Sequence, residues 1–309
     1  MYPLSFIEFL AALEEYSLIQ EILVHELTTE LSTPIHEKCL RLVAEYLALG
    51  GMPAVVNCWL TFKTPRHCTK IQKRLLNSYK QGFSKYAKKH QIEYVSMLFK
   101  EVPRQLSKKF KYNDIEGDYR KRELQPALNL LEIAGIIHKV YDCAGQGMPL
   151  GAQIDSNDYK TIFLDVGLIQ SVLALDLTDW FLNPFNEFIN KGALVQAFVG
   201  QELLAYSDPL EKSDLYYWHR NAPSSVAEID YLIQQDNHII PVEVKSGAGT
   251  TLKSMHTFLK DHPFSPYGIR FSAQNYSIMD NIHSYPLYAL AKIACTGHHD
   301  IKKSIEALL

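Results

Sequence analysis

The stretch AEIDYLIQQDNHIIPVEVKSG, residues 227 to 247, decides the reading of this chain. Two alternating segments rich in β-branched residues, EIDYLI and HIIPVEVK, flank the polar turn Gln234-Gln235-Asp236-Asn237, so the spacing predicts a β-hairpin. Side chains two apart on a strand share a face. Glu243 and Lys245 therefore point the same way, and Asp230 on the partner strand can reach that face. Two carboxylates can hold one hard divalent ion, Mg²⁺ or Mn²⁺, through oxygen ligands. A lysine beside them can orient or deprotonate a water, or offset charge developing on a phosphate. The plainer alternative is a cross-strand ion pair at an exposed sheet edge. The apolar setting Pro241-Val242-Glu243-Val244 favours chemistry, because charge inside such a strand is costly unless paired or metal-bound.

Upstream, GALVQAFVGQELLAY (192 to 206) has the spacing of an amphipathic helix, with Leu194, Ala197, Phe198, Gln201 and Leu204 on its stripe and Glu202 beside it. A helix carrying one Glu, then a strand Asp, then Glu-x-Lys resembles the PD-(D/E)xK nuclease superfamily. The resemblance implies that Glu202, Asp230, Glu243 and Lys245 converge on one catalytic centre. Asp230 and Glu243 would be metal ligands, Glu202 an outer or third ligand, and Lys245 the water-orienting group. Taken alone, Glu202 would be a solvated helix charge.

The 309 residues suffice for about two or three domains. An apolar fraction of 47% and a charged fraction of 21% are those of a soluble globular protein. Cys39, Cys58, Cys68, Cys143 and Cys295 show no C-x-x-C spacing, which argues against a disulfide framework or structural zinc and fits a reducing cytoplasm. The N-terminus lacks the basic start of a signal peptide, and no apolar run reaches bilayer-spanning length. The net charge of −3 conceals an asymmetry: residues 63 to 123 carry +11 and the remainder −14. That basic block is interleaved with Tyr79, Phe83, Tyr86, Phe110, Tyr112 and Tyr119, a composition suited to nucleic acid or another polyanion. Solvated helix faces, or docking on the chain's own acidic part, are the alternatives.

Along the chain the pattern is α+β. Residues 1 to 62 form a helical region whose second helix stops at Gly50-Gly51 and Pro53. Residues 63 to 178 read as basic helices from Lys70 to Lys89 and Glu93 to Phe110. A further helix, Lys121 to Ala134, has Leu124, Leu128, Leu131 and Ile133 inward, and the strands IIHKVYD and KTIFL follow. Helices followed by a two-stranded wing are the order of a winged helix-turn-helix, in which the helix before the wing enters the major groove. Arg120, Lys121 and Arg122, at the start of that helix, are candidates for nucleic-acid contact; a protein–protein adaptor is the competing use. Asp165 is expected to cap the helix GLIQSVLAL. Residues 185 to 309 read as an α/β unit with strands LYYWH, EIDYLI, HIIPVEVK and YGIRFS. Gly297-His298-His299-Asp300 reads as solvated surface.

An ordered set of segments carries a wider resemblance: PLSFIEFL, YLALGGMPAVV, LNLLEIAGIIHKV, IFLDVGLI, KGALVQAFVGQELL, YYWHR and AEIDYLI with IIPVEVKSG. Together they look like the C-terminal portion of prokaryotic AAA-type ATPases that end in an uncharacterised nuclease-like domain. This implies an ATPase-lid-like helical region (1 to 62), a winged helix (63 to 178) and a restriction-endonuclease-like C-terminal domain (185 to 309). The chain departs from that pattern because no G-x-x-x-x-G-K-[ST] occurs, so no ATP hydrolysis by a P-loop is expected. The chain is then a fragment of a longer ATPase, a separately encoded remnant, or the product of a displaced start. The leading functional expectation is a cytoplasmic, DNA-binding, Mg²⁺-dependent nuclease. Its alternative is an inactive nuclease-fold module that binds nucleic acid or protein, in either case with a separate ATPase subunit as a candidate partner.

Overall fold

The structure is a computed structural model, and it describes residues 3–207, 213–222, 225–246 and 252–295. The N-terminal third is helical: α1 (Phe6–Ala12), α2 (Tyr16–Val24), α3 (Thr33–Leu49), α4 (Pro53–Phe62) and α5 (Pro65–Tyr86). Gly50 ends α3 at φ 76°, and its missing Cβ lets the Asp165 carboxylate lie against it. A side chain there would collide with that group, so glycine is required twice over. Helices α6 (Ile92–Glu101) and α7 (Lys121–Ile133) lead into strands β1 (Ile137–Cys143) and β2 (Ile154–Phe163). Short helices α8 (Val166–Val172), α9 (Thr178–Leu182) and α10 (Pro184–Asn190) precede the long α11 (Gly192–Ala205). The C-terminal part is β3 (Leu215–Ala222), β4 (Ser225–Gln235), β5 (His238–Lys245), α12 (Lys253–Asp261), β6 (Gly268–Ser272), β7 (Ser277–Met279), β8 (Ile282–Pro286) and α13 (Leu290–Cys295).

The eight strands among the described residues join one mixed sheet in the order β2-β1-β3-β4-β5-β6-β8-β7. The hairpin read as a wing is therefore the edge of the same sheet that holds the C-terminal strands, joined by the parallel pairing of β1 with β3 (Val140 opposite Leu215). Helix α11 and the N-terminal helices cover one face, where Tyr217, Tyr231, Val242 and Phe271 meet Val195, Phe198 and Tyr46 in the main core. Helix α12 covers part of the other face, where Met255 and Phe258 pack on Trp218, Ile229 and Leu232. Among the described residues no single helix is long and apolar enough to cross a membrane.

Three expectations need correction. Ile133 is 83% exposed, whereas Leu124, Leu128 and Leu131 are buried. Nine residues beyond Leu124, at roughly 100° per residue, a side chain lies about half a turn from the stripe. Helix α11 is not amphipathic: Leu194, Val195, Ala197, Phe198, Val199, Glu202 and Leu204 are all buried, because the helix is enclosed between the sheet and α3, α8 and α13. The turn of the β4–β5 hairpin is tighter than its polar stretch suggested. Gln234 and Gln235 remain in the ladder, and Asp236 and Asn237 alone turn the chain, at φ 46° and 63°. Asn and Asp tolerate this left-handed region and favour two-residue hairpin loops. Asp165 caps α8 as expected, accepting the Leu168 amide at 2.9 Å, and it also accepts the Gly51 amide at 2.7 Å. Residues 297 to 300 lie outside the described residues.

Candidate functional site

A β-bulge positions Asp230. Trp218 pairs with Ile229 and Tyr216 with Leu232, so Asp230 and Tyr231 together oppose Tyr217. Such an extra residue bends the strand and re-aims a side chain. Here Ile229 stays on the α12 face, whereas Tyr231 joins the main core. Asp230 turns into a small cavity beneath α11, lined by Lys160, Thr161, Gln196 and Tyr231. Its carboxylate accepts the Val244 amide at 2.8 Å. Burial raises its pKa to about 6, against the opposing pull of the Lys160 ammonium and that amide; Glu243 and Glu228 raise it further.

Lys160 is the residue that sequence reading missed. It is 2% exposed, bonds Glu228 at 2.5 Å and lies 4.7 Å from the centre of the Tyr217 ring. Burying an ammonium demands such partners. A signal was present: Lys160 stands two before Ile162 on one strand, so alternation places it at an inward position. Gln196 was missed too. Gly192, Gln196 and Gly200 recur every fourth residue and form the sheet-facing stripe of α11. Gly192 lies against Ser246, the Gln196 carbonyl accepts the Tyr231 hydroxyl at 2.7 Å, and Gly200 lies against that hydroxyl. The helix thus offers this cavity an amide rather than a carboxylate.

Glu243 alternates with Val242 and Val244, whose side chains enter the main core, and shares a rung with Arg270. It is 4% exposed. Its Oε1 lies 2.5 Å from the Lys245 ammonium, whereas its Oε2 is buried with no hydrogen-bond partner among the described residues. Arg270 donates to Gln274 at 2.7 Å, and burial lowers its pKa despite the Glu243 charge. Lys245 is thus paired with Glu243 on one strand face.

Glu202 lies elsewhere. Six residues past Gln196, it is rotated roughly 240° around the helix, away from the sheet-facing stripe. Both of its oxygens accept the Phe6 amide, at 3.0 and 3.1 Å, at the start of α1. Burial raises its pKa to about 8, and the Phe6 amide and the Tyr206 hydroxyl offset this only in part. Its neighbour Gln201 accepts the Val166 amide at 2.9 Å and donates to Tyr46 at 2.7 Å. Glu202 therefore belongs to a polar spine joining α1, α3 and α8 to α11. Glu202, Asp230 and Glu243 form no three-carboxylate group with converging oxygens.

The candidate nucleic-acid residues are exposed. Lys109 bridges to Lys160 on the edge strand β2, and the Phe110 amide donates to the Tyr159 carbonyl at 2.8 Å. Lys121 reaches Asn157 of the same strand at 3.2 Å. These ties bring exposed Lys108, Lys111, Arg120, Lys121 and Arg122 to one flank of the sheet.

Residues 40–179 match a family described as Domain of unknown function DUF8612, and residues 191–290 match Domain of unknown function DUF4143. The second is a domain found at the C-terminus of AAA-ATPase-like proteins, which agrees with the resemblance read from the sequence. Neither description names a nuclease or an ATPase. No curated protein and no solved structure matches.

Proposed function

We propose that this chain is a nucleic-acid-binding module with a nuclease-like C-terminal sheet, in which lysines occupy the electrostatic role of the divalent ion. The observation that carries this reading is that the two hairpin carboxylates expected as ligands, Asp230 and Glu243, already lie beside an ammonium. Asp230 and Glu228 face the buried Lys160, and Glu243 pairs with Lys245. An entering Mg²⁺ would have to displace two ammonium groups and shed waters it releases reluctantly. The cavity at Asp230 leaves about 10 Å³, room for roughly one water. Binding is assigned to the basic flank built around Arg120, Lys121 and Arg122 on the helix that precedes the hairpin, as in a winged helix.

The test is fluorescence anisotropy with duplex DNA and with single-stranded RNA over a salt series. Affinity is expected to fall steeply with salt, and replacing Arg120, Lys121 and Arg122 together by Ala should flatten the log–log slope by about 2 to 3. Absence of binding to both at low salt refutes the reading. A metal-dependent nuclease, of DNA or RNA, is the second reading, favoured by the buried Glu243 Oε2, which has no hydrogen-bond partner among the described residues. Mg²⁺- or Mn²⁺-dependent cleavage that Asp230→Asn and Glu243→Gln abolish would establish it instead.

A further inference from the structure

Apart from the hairpin, three adjacent strands bring Asp142 (β1), Asp158 (β2) and His219 (β3) together, with their ligand atoms all within 4.8 Å of one another. The placement depends on a local irregularity. Tyr141 pairs with Tyr159 but Asp142 pairs with Asp155, so residues 156 to 158 are extra in β2. That bulge turns Asp158 inward to 6% exposure, between exposed Asn157 and buried Tyr159. His219 Nδ1 lies 2.9 Å from Asp142 Oδ1, and His219 Nε2 lies 3.9 Å from Asp158 Oδ2. The first distance is a hydrogen bond. The second is too long for one, yet two metal–ligand bonds of about 2.1 Å each span it at an open angle. A carboxylate on one imidazole nitrogen fixes the tautomer and leaves the other nitrogen's lone pair for a metal. Beside the cluster opens a cleft of about 500 Å³ lined by Asp142, His219, Trp218, Arg220 and His262.

We propose that His219 Nε2 and Asp158 Oδ2 form a binding site for a divalent transition ion, Zn²⁺ or Mn²⁺, with Asp142 as the group that positions the imidazole. Mixed nitrogen and carboxylate donors suit these ions, and His219 also lines the cleft. Tyr217 holds the other Asp158 oxygen at 2.5 Å and fixes the carboxylate's orientation. Lys109, half exposed, pairs with Asp158 Oδ2 and so holds a cation at the position the metal would take. Metal and lysine therefore compete for one oxygen. This site is independent of the nucleic-acid reading, because it uses neither the hairpin carboxylates nor Arg120, Lys121 and Arg122.

The experiment is calorimetric titration of tag-free full chain with Zn²⁺ and Mn²⁺, together with visible spectroscopy of the Co²⁺ form. One ion per chain is expected. His219→Gln and Asp158→Asn should weaken binding at least 100-fold, and Asp142→Asn about 10- to 100-fold without changing the stoichiometry. Lys109→Ala should tighten binding at least 10-fold, because it frees the oxygen. Lys109 lies on the surface, so this variant remains informative if the buried variants fail to fold. Unchanged or weaker binding in Lys109→Ala, or wild-type affinity in folded His219→Gln, overturns the proposal, as does absence of stoichiometric binding by any of the three ions.

Discussion

Replacing Glu202 by Gln should stabilise this protein at alkaline pH while leaving it nearly unchanged at pH 5. The carboxyl of Glu202 is fully buried on α11 and holds a proton up to about pH 8, because burial outweighs the help of the Phe6 amide. In the unfolded chain a glutamate releases its proton near pH 4.3. Between these values the native state carries a proton that the unfolded state has lost. Stability therefore falls with rising pH, by about 1.4 kcal/mol per unit, and the loss is complete above the folded value. At pH 7 the accumulated loss is about 2 to 4 kcal/mol, and at pH 5 about 1. Gln keeps an oxygen for the Phe6 amide but replaces one acceptor by a donor, at about 1 kcal/mol. The net expectation is no change at pH 5, a gain of about 1 to 3 kcal/mol at pH 7 and about 3 to 4 kcal/mol at pH 8. With an unfolding entropy of about 2.1 cal/mol/K per residue over 309 residues, 2 kcal/mol corresponds to roughly 3 °C in Tm. Thermal melts of both proteins at half-unit steps from pH 5 to 8.5 measure the difference directly. Parallel Tm curves would show that Glu202 does not titrate in this window. Divalent-ion stabilisation that vanishes in Glu202→Gln would return the residue to a ligand role.

Two further outcomes follow from packing and capping. Leu128→Ala should cost about 2 to 5 kcal/mol in urea unfolding, whereas Ile133→Ala on the same helix should stay within about 0.5, because only the first side chain is buried. Asp165→Ala should cost about 2 to 4 kcal/mol at pH 7 by stripping the acceptor from the Leu168 and Gly51 amides. Asp165→Asn, which keeps one oxygen, should lose about half as much, and equal losses in the two variants would mean that the cap contributes little.

What could be read from the sequence was what is decided locally. The hairpin announced itself because alternation and a polar turn are properties of neighbouring residues, and Gly50 and Asp165 did so because stops and caps are made within one turn. The sheet's extent was not local. Whether the β1–β2 hairpin stands free or joins β3 depends on the Val140–Leu215 pairing, which no periodicity encodes. The same holds at the site. Glu202 stands out in the sequence because a carboxylate suggests chemistry, yet on a helix buried all round the apolar pattern no longer says which face meets the sheet. The stripe of Gly192, Gln196 and Gly200 does say so, since close approach of a helix to a sheet requires small residues where the backbones meet. The β4 bulge needs a third strand to exist, and Lys160 reaches Asp230 and Glu228 only because β2, β1, β3 and β4 are adjacent. The charges most relevant to metal affinity at the hairpin are thus supplied by the fold's assembly. A motif in this sheet therefore has to be judged with the cations its neighbouring strands bring, and at Asp230 that cation is already covalently part of the chain.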